Sequence, residues 1–508
     1  IHTSSFMQII QKIASWYLSK RLQRIRAFMD DPHSAQAEML EKLLSRGYDT
    51  AYGRSHHFDE IRNADTFRER VPIRGYEDLY PWIERELKGE PDVLWPGRTE
   101  WFAKSSGTTN DRSKYIPVTH ESFEETHYKS GQDMLAFHLE QNIDSQLFKG
   151  KALSIAGSHE MVSLGDTRAG DLSAVLLENL PFFYEMVRTP SKAVALMDNW
   201  EEKINAILNE VISEDVTSIS GVPTWTLVLI HRMLETLDKP DATLLDIWPN
   251  IELFCHGGVN FTPYRAQFES LIPTDRMSYI NIYNASEGFF ACQDDYNQDD
   301  MLLMLDNGIY YEFLPLDELG KEGPQALTLP EVELDTVYAL IITTNGGLWR
   351  YMVGDTVTFT SLSPYKIRIA GRTKHFINAF GEELMMDNAE QAITAACNAT
   401  GASIDNYTVA PIYFKGKESG GHEWLIEFDS PPDDFDTFSQ ILDKTLCEVN
   451  SDYAAKRAGD IALAFPTIHC MPKGTFYRWM KQRGKLGGQH KVPRLSNERR
   501  YVEEILAM

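Results

Sequence analysis

The sequence has few basic residues for its length. It holds 49 Lys and Arg against 74 Asp and Glu in 508 residues, which gives a formal net charge of −25. Because the mean field around such a chain repels polyanions, we expect no nucleic-acid partner and no anionic membrane surface. A site for a nucleotide must therefore gather its own local cations.

Cysteine is also scarce, and several short catalytic motifs are missing. The cysteines are Cys255, Cys292, Cys397, Cys447 and Cys470. They form no close pair and no metal-ligand spacing, and their odd number favours reduced thiols in a cytoplasmic protein. No histidine spacing suggests zinc, and neither a G-x-x-x-x-G-K-[ST] loop nor a G-x-S-x-G elbow is present. The sequence therefore does not support a zinc enzyme, a phosphate-loop NTPase or an α/β-hydrolase.

Long hydrophobic runs are absent as well. No window approaches the ~18 apolar residues of a membrane span. Residues 1–30 look amphipathic and helical, without an uninterrupted apolar stretch of the length that a signal peptide has. We therefore expect neither a membrane span nor a signal peptide.

What the sequence does contain is an alternation of strand and helix patterns. A chain of 508 residues is too long for one core and should divide into about two or three domains. From about residue 150 to residue 360, short β-rich runs alternate with longer helical ones, which predicts an α/β fold with a mostly parallel sheet. Near residues 369–374 the pattern changes, and the rest reads as a small α+β unit.

We therefore predict two domains: a large α/β domain of several layers, residues 1–371, and a small α+β lid, residues 372–508. Ligands of open α/β sheets sit outside the carboxyl ends of the strands. The loops that follow predicted strands are accordingly the places to look for a site.

One such loop, residues 105–114, reads S-S-G-T-T-N-D-R-S-K between two strand-like segments. Glycine lets the backbone come close to a ligand, successive N–H groups can form an anion-binding nest, and Lys114 adds a mobile positive charge. The loop can therefore wrap a phosphate chain. Taken alone, an ordinary serine and threonine turn explains it equally well.

Three further segments follow predicted strands. His256 to Val259 contains a glycine pair on which a flat group could lie, and Ile282 to Gly288 offers an aromatic ring, a hydroxyl and a carboxylate within a few residues. There Tyr283 could stack on a base, Ser286 could donate to a phosphate, and Glu287 could hold Mg²⁺. Trp349 to Asp355 ends in a carboxylate whose two oxygens suit a ribose diol.

Each segment also has an ordinary structural explanation. Tyr283 could be a core residue, Glu287 and Asp355 could be surface or capping residues, and Gly257 with Gly258 an ordinary turn. The basic tail, residues 473–500, could be a solvated helix or a cationic segment that reaches a phosphate. The order, the spacing and the shared position at strand ends favour one common site.

Read together, these segments resemble the adenylate-forming superfamily of acyl- and aryl-CoA synthetases. They are most similar to its acyl-acid amido synthetase branch, named after the auxin-responsive Gretchen Hagen genes. Residues 105–114 resemble its phosphate loop, Tyr283 to Glu287 its Y-x-x-S-E segment, Tyr351 to Asp355 its Y-R-V-G-D segment, and Gln489 to Arg494 its closing Q-x-K-x-P-R. The resemblance spans about residues 70–500.

The match departs from the family pattern in three places. Asn110 stands where glycine is common, Met352 replaces an arginine, and residues 387–390 replace a lysine-bearing segment of plant relatives. These departures leave the predicted ATP site intact but leave the acyl substrate and the acceptor open. They also favour a member of the branch from outside plants.

The resemblance implies an ATP- and Mg²⁺-dependent ligase that joins a small carboxylic acid to an amine, releasing AMP and pyrophosphate. Its implied catalytic residues are Lys491, Glu287 and Lys114, with Glu287 also holding Mg²⁺. Its implied ATP- and AMP-binding residues are Ser105, Ser106, Gly107, Thr108, Thr109, Gly257, Gly258, Tyr283, Ser286, Asp355 and Arg372. Tyr128 and Trp225 are implied substrate contacts, and the lid hinge is expected near residues 372–374.

Two alternatives stay open. The same adenylate could be intercepted by the thiol of CoA, as in acyl-CoA synthetases. The chain could also be a regulator that binds the nucleotide without turnover. The preferred hypothesis is conjugation of the acid to an amine, with an amino acid as the expected acceptor.

Overall fold

The computed structural model describes residues 17–105, 114–155, 161–197, 199–237, 239, 241–259, 261–373, 376–414, 419–460, 462–483 and 492–508. The described part is a mixed α/β protein, which confirms the fold class predicted from the sequence. None of its helices is both long and apolar enough to cross a membrane.

The described chain begins with helices. They are α1 (17–30), α2 (Pro32–Gly47), α3 (Ala51–Ser55), α4 (Ala64–Arg70) and α5 (Tyr76–Leu87). The Asp31 side chain accepts a hydrogen bond from the Ser34 N–H and caps α2, which has proline in its first turn. The buried Arg21 joins α1 to the rest of the domain through salt bridges with Asp133 and Asp306.

The strands of the large domain form two sheets. In chain order they are β1 (Trp101–Ser105), β2 (Lys114–Val118), β3 (Lys151–Ser154), β4 (Val162–Leu164), β5 (Thr167–Gly170), β6 (Arg188–Thr189), β7 (Val216–Gly221), β8 (Leu253–Gly257), β9 (Ser278–Ala285), β10 (Gly288–Cys292), β11 (Met301–Leu303), β12 (Ile309–Pro315), β13 (Val337–Thr344), β14 (Tyr351–Leu362) and β15 (Tyr365–Arg372). Among the described residues, β2-β1-β5-β4 form one sheet and β12-β13-β14-β15-β11-β10-β9-β8-β7-β3-β6 the other.

The large sheet is parallel on one side and antiparallel on the other. Strands β6, β3, β7, β8 and β9 run parallel, whereas every neighbouring pair from β9 to β12 is antiparallel. The expectation of a mostly parallel sheet is therefore wrong for the second half. Several connections there are short turns, which can join antiparallel strands but cannot make the crossover that parallel strands need.

Helices cover the large sheet and form the core with it. They are α6 (Lys129–Gln141), α7 (Leu172–Glu178), α8 (Phe182–Glu185), α9 (Lys192–Ala195), α10 (Trp200–Val211), α11 (Pro223–Glu235) and α12 (Thr262–Leu271). Strands β8 and β9 supply alternate residues to two hydrophobic clusters: Leu253 and Ile280 join one, Phe254 and Tyr279 the other. This alternation places the carboxyl ends of the central strands between two packed layers.

The C-terminal part forms the small α+β unit. Its elements are β16 (Phe376–Ile377), β17 (Leu384–Met385), α13 (Met386–Thr400), β18 (Ser403–Ile412), β19 (Gly421–Ser430), α14 (Phe435–Val449), α15 (Ser451–Arg457), β20 (Thr467–Met471), α16 (Thr475–Gln482) and α17 (Arg500–Leu506). It docks on α12, where the Tyr264 hydroxyl donates to the Ala379 carbonyl at 2.7 Å and the Gln267 amide to the Phe414 carbonyl at 3.0 Å. The domain boundary between residues 371 and 372 stays a prediction.

Candidate functional site

A cleft of about 2230 Å³ is lined by residues of both the large domain and the lid. On the large-domain side, the carboxyl ends of the parallel strands β3, β7, β8 and β9 reach it, as expected for a ligand site in this kind of sheet. The predicted site residues that line it are Ser105, Lys114, Tyr128, Trp225, Gly257, Gly258, Tyr283, Ser286, Glu287 and Asp355. Residues far apart in the sequence therefore share one wall.

Some predicted site residues cannot be placed. Ser106, Gly107, Thr108, Thr109 and Lys491 lie outside the described residues, and so does the side chain of Arg372. The backbone of Arg372 ends β15, opposite Asp355 in β14. Its neighbours Gly371 and Thr373 line the cleft.

Two strands fix the ends of the predicted phosphate loop. Strands β1 and β2 pair antiparallel, and their register sets Ser105 opposite Lys114. The Lys114 ammonium nitrogen lies 5.8 Å from the centre of the Tyr76 ring, and the Tyr76 hydroxyl accepts the Tyr115 N–H at 2.8 Å. The lysine is therefore positioned at the start of β2 by an aromatic ring that is itself held by the strand.

The glycine pair ends strand β8. A Cβ at position 257 would lie 2.7 Å from the carbonyl oxygen of Ile282 in the neighbouring strand, and Gly258 has a φ of +81°. Position 257 therefore has no room for a side chain, and position 258 has a backbone conformation that favours glycine. The Asn378 side-chain amide of the lid donates to the Gly258 carbonyl at 2.9 Å.

Tyr283 and Asp355 form a buried pair at the cleft. The Tyr283 hydroxyl donates to Asp355 Oδ2 at 2.7 Å, and the two residues are only 5% and 8% exposed. The ring of Tyr283 meets that of Phe290 edge-on, with centres 4.7 Å apart. Tyr283 is therefore a core residue and a cleft residue at once, and its hydroxyl orients the carboxylate.

Glu287 lies in the turn between β9 and β10 and is half-buried. The hydroxyl of the fully buried Tyr351 donates to Glu287 Oε1 at 3.4 Å, and burial raises the pKa of Tyr351 well above its usual value. A single oriented carboxylate fits Mg²⁺, which usually takes one or two carboxylates together with phosphate oxygens and water. The one group of metal-binding residues found in the described part, His57, Asp59 and Glu60, is exposed.

The predicted substrate contacts lie farther along the cleft. The Tyr128 hydroxyl donates to the Leu176 carbonyl at 2.9 Å, and burial raises the pKa of Tyr128. Trp225, in α11, is 8% exposed. Helix α7 adds Leu172 and Leu177 to the lining of the cleft.

The lid wall contains charged residues that the sequence reasoning missed. Asp452 and Lys456 of α15 line the cleft, together with Glu383 of the lid. The Lys456 ammonium nitrogen lies 4.8 Å from the centre of the Trp225 ring. The sequence offered only their spacing of four residues, which is too common to single them out.

Burial shifts the ionisation of both lid residues. It raises the pKa of Asp452 to about 7, an effect that Glu383 and Asp171 add to and that Lys456 and Lys104 oppose. Burial lowers the pKa of Lys456, against the attraction of nearby carboxylates. The lid wall therefore carries a carboxyl group that changes charge near neutral pH.

Comparisons with known proteins cover almost the whole chain. The N-terminal domain of the GH3 family matches residues 21–277, its central domain residues 302–372 and its C-terminal domain residues 387–500. The indole-3-acetic acid-amido synthetase GH3.3 of Arabidopsis thaliana is 23% identical over 94% of this chain and 91% of its own length. The 4-substituted benzoates-glutamate ligase GH3.12 of the same plant is 22% identical over 93% and 94%.

Solved structures show the same fold. A GH3.15 acyl acid amido synthetase has a TM-score of 0.61 at 18% identity and covers 96% of this chain and 95% of its own. A 2-hydroxyisobutyryl-CoA ligase in complex with 2-HIB-AMP and CoA has a TM-score of 0.54 at 12% identity, covering 94% and 92%.

Proposed function

Because the chain belongs to the GH3 family, we propose that it is an ATP-dependent ligase that joins a carboxylic acid to the amine of an amino acid. The observation that carries this proposal is the convergence, in one cleft, of Lys114, the Gly257–Gly258 turn, the Tyr283–Asp355 pair and Glu287. Relatives over nearly the full length of the chain are named as amido synthetases and as an acid-glutamate ligase.

In the first half-reaction, a substrate carboxylate oxygen attacks the α-phosphorus of ATP, and pyrophosphate leaves. The protein aligns the reactants and neutralises charge. Lys114 and the loop from Ser105 hold the β- and γ-phosphates, where the lysine offsets their negative charge. Glu287 would hold Mg²⁺, which, when bound, screens the phosphate oxygens.

The nucleoside binds on the large-domain wall. The backbone of Gly257 and Gly258 offers a flat surface without side chains for adenine, flanked by Tyr283. Asp355 accepts hydrogen bonds from the ribose hydroxyls, and the Tyr283 hydroxyl keeps its carboxylate in place. Ser286, at the turn, donates to a phosphate. We assign Lys491 to the α-phosphate or the substrate carboxylate, and Arg372 to the nucleotide.

In the second half-reaction, the amine attacks the carbonyl carbon of the acyl adenylate and AMP leaves. The apolar wall with Tyr128 and Trp225 would bind the acyl group. The lid must move between the two steps, and we place its hinge near residues 372–374. All five cysteines are free thiols, which fits a cytoplasmic setting.

The test of this function is pyrophosphate exchange into ATP with a panel of aryl, indolyl and aliphatic carboxylic acids. We expect exchange that requires one class of acid, and AMP release that increases when amino acids are added. No exchange with any acid would overturn the proposal. AMP release that responds to CoA and not to amino acids would make the chain an acyl-CoA synthetase instead.

A further inference from the structure

Helix α15 of the lid lines the cleft along most of its length. Ser451, Asp452, Ala454, Ala455 and Lys456 of this short helix are all lining residues. In the segment that follows Lys491, the Arg494 carbonyl accepts the Val409 N–H at 2.8 Å and residues 492–494 do not line the cleft, whereas Asn497 and Glu498 do. In this orientation of the lid, α15 therefore lines the cleft and brings Lys456 to Trp225.

Lys456 has a defined path into the cleft. A Cβ added to Gly381 would lie 3.3 Å from Lys456 Cε, and Gly381 has a φ of +85°. The lysine stem thus runs against a lid turn that favours glycine, and its ammonium group ends over Trp225. This arrangement brings a positive charge of the lid to the wall where the acyl group is expected.

The charges around Asp452 come from both sides of the cleft. Lys456 is on the same helix as Asp452, Glu383 is on the lid turn before β17, and Asp171 and Lys104 are on the large domain. Two carboxylates thus balance two lysines around Asp452, which adds a negative charge when it is ionised. An ionised Asp452 attracts an ammonium group, while Lys456 offers one site for a carboxylate.

We propose that Asp452 and Lys456 hold the acceptor as an amino-acid zwitterion, with its carboxylate on the Lys456 ammonium group and its own ammonium group beside Asp452, which takes up the proton. This inference rests on the ligase function proposed above. Residues four apart lie on the same side of a helix, with Cβ atoms about 5–6 Å apart, so the two groups can meet both ends of one small amino acid.

The chemistry balances as follows. The ammonium group gives one proton to Asp452 and becomes a neutral amine, whose electron pair forms the C–N bond at the acyl carbonyl carbon. The bond from that carbon to the phosphate oxygen breaks, and its electron pair leaves with AMP. The remaining extra proton on nitrogen goes to water, and Asp452 returns its proton to water. The raised pKa of Asp452 makes this exchange possible near neutral pH.

Hydroxylamine provides the matched probe. It is largely uncharged at neutral pH and has no carboxylate, so it can trap the acyl adenylate without either residue. For Asp452→Asn we expect amide formation with amino acids to fall about 100- to 1000-fold, while hydroxamate formation and pyrophosphate exchange stay within about 3-fold of the wild type. Asp405→Asn, at an exposed lid position that does not line the cleft, is the control and should change neither.

Lys456→Met keeps most of the side-chain length and removes the charge. We expect the KM for the preferred amino acid to rise about 10-fold or more, and the KM for the same amino acid as its carboxamide to stay unchanged. If the variant raises both KM values equally, Lys456 does not recognise the carboxylate and that assignment is wrong.

The results separate this inference from the proposed function. A folded Asp452→Asn variant that conjugates amino acids at the wild-type rate, or that loses hydroxamate formation equally, overturns the role of Asp452. Should the variant not fold, the wild type decides: its rate of amide formation at saturating amino acid must level off above about pH 7, and a rate that keeps rising toward the pKa of the free amine overturns the role. Absence of acid-dependent pyrophosphate exchange in the wild type would instead remove the proposed function.

Discussion

The two walls of the cleft differ in how their polar groups are held. On the large-domain wall, Tyr283 donates to Asp355 and Tyr351 donates to Glu287, so buried tyrosines orient both carboxylates before any ligand arrives. On the lid wall, burial instead shifts the pKa values of Asp452 and Lys456. The oriented carboxylates of the large-domain wall suit a ligand of fixed shape. The shifted pKa values on the lid wall suit a ligand that must exchange a proton. We infer that nucleotide binding belongs mainly to the large-domain wall and acceptor binding mainly to the lid wall.

The largest expected effect is on the large-domain wall. Glu287→Gln keeps the shape of the side chain and removes its charge, so we expect pyrophosphate exchange to fall about 1000-fold. Glu448→Gln, which changes an exposed carboxylate on the lid side of the cleft, is the comparison and should reduce exchange by less than 10-fold. Equal losses in the two variants would contradict the division between the walls.

A smaller effect is expected for the nucleoside pair. Asp355→Asn weakens the acceptor for a ribose diol, and Tyr283→Phe removes the hydroxyl that orients it. We expect the KM for ATP to rise about 10-fold in the first variant and about 3-fold in the second, since a neutral hydrogen bond contributes about 1 kcal/mol. Steady-state exchange kinetics measure both. If the KM for amino acids changes more than the KM for ATP, the assignment to the nucleoside is wrong.

A substitution in the lid turn is expected to have a milder effect, on the lid wall of the cleft. Gly381→Ala adds a methyl group 3.3 Å from Lys456 Cε at a backbone φ of +85°. We expect the KM for the amino acid to rise about 3- to 10-fold with unchanged pyrophosphate exchange, because the lysine is displaced while the large-domain wall is not touched. Gly401→Ala, at a φ of +66° with no atom within 4 Å of the added Cβ, is the control for backbone strain.

The smallest effect is on stability. Burial raises the pKa of Asp452 to about 7, so the folded state binds a proton more tightly than the unfolded state does. Folding stability from this group is therefore greatest at low pH and is lost as the pH rises to about 7. We expect Asp452→Asn to raise the melting temperature by about 1–2 °C at pH 8 and to leave it unchanged at pH 4. A decrease at pH 8 would show that the carboxylate stabilises the fold.

Several residues singled out in the sequence line the large-domain wall, because they sit in short ordered segments. Tyr283, Ser286 and Glu287 lie within one strand end and turn, and Gly257 closely approaches the carbonyl oxygen of Ile282 in the neighbouring strand. Their roles in binding and catalysis remain predictions. What the sequence could not give was the direction of the second half of the sheet, which depends on long-range strand pairing.

The lid wall was missed for a different reason. Asp171, Glu383, Asp452 and Lys456 are spread over most of the chain, and no motif joins them. Their importance lies in burial and in the distance from Lys456 to the Trp225 ring, neither of which a linear pattern contains. Charge clusters that tertiary packing assembles become visible only once the fold is known.

The hydrogen bond from the Asn378 side-chain amide to the Gly258 carbonyl joins the lid to the turn on which adenine is expected to lie. A neutral hydrogen bond of this kind contributes about 1 kcal/mol, which corresponds to roughly a fivefold shift between two lid orientations. A rotation of the lid would break this bond, together with the bonds from Tyr264 and Gln267 to the lid, and leave the Gly258 carbonyl oxygen to another donor. We infer that adenine binding at this turn and the position of the lid are coupled in part through the Asn378 amide, by an amount small enough for each catalytic cycle to reverse.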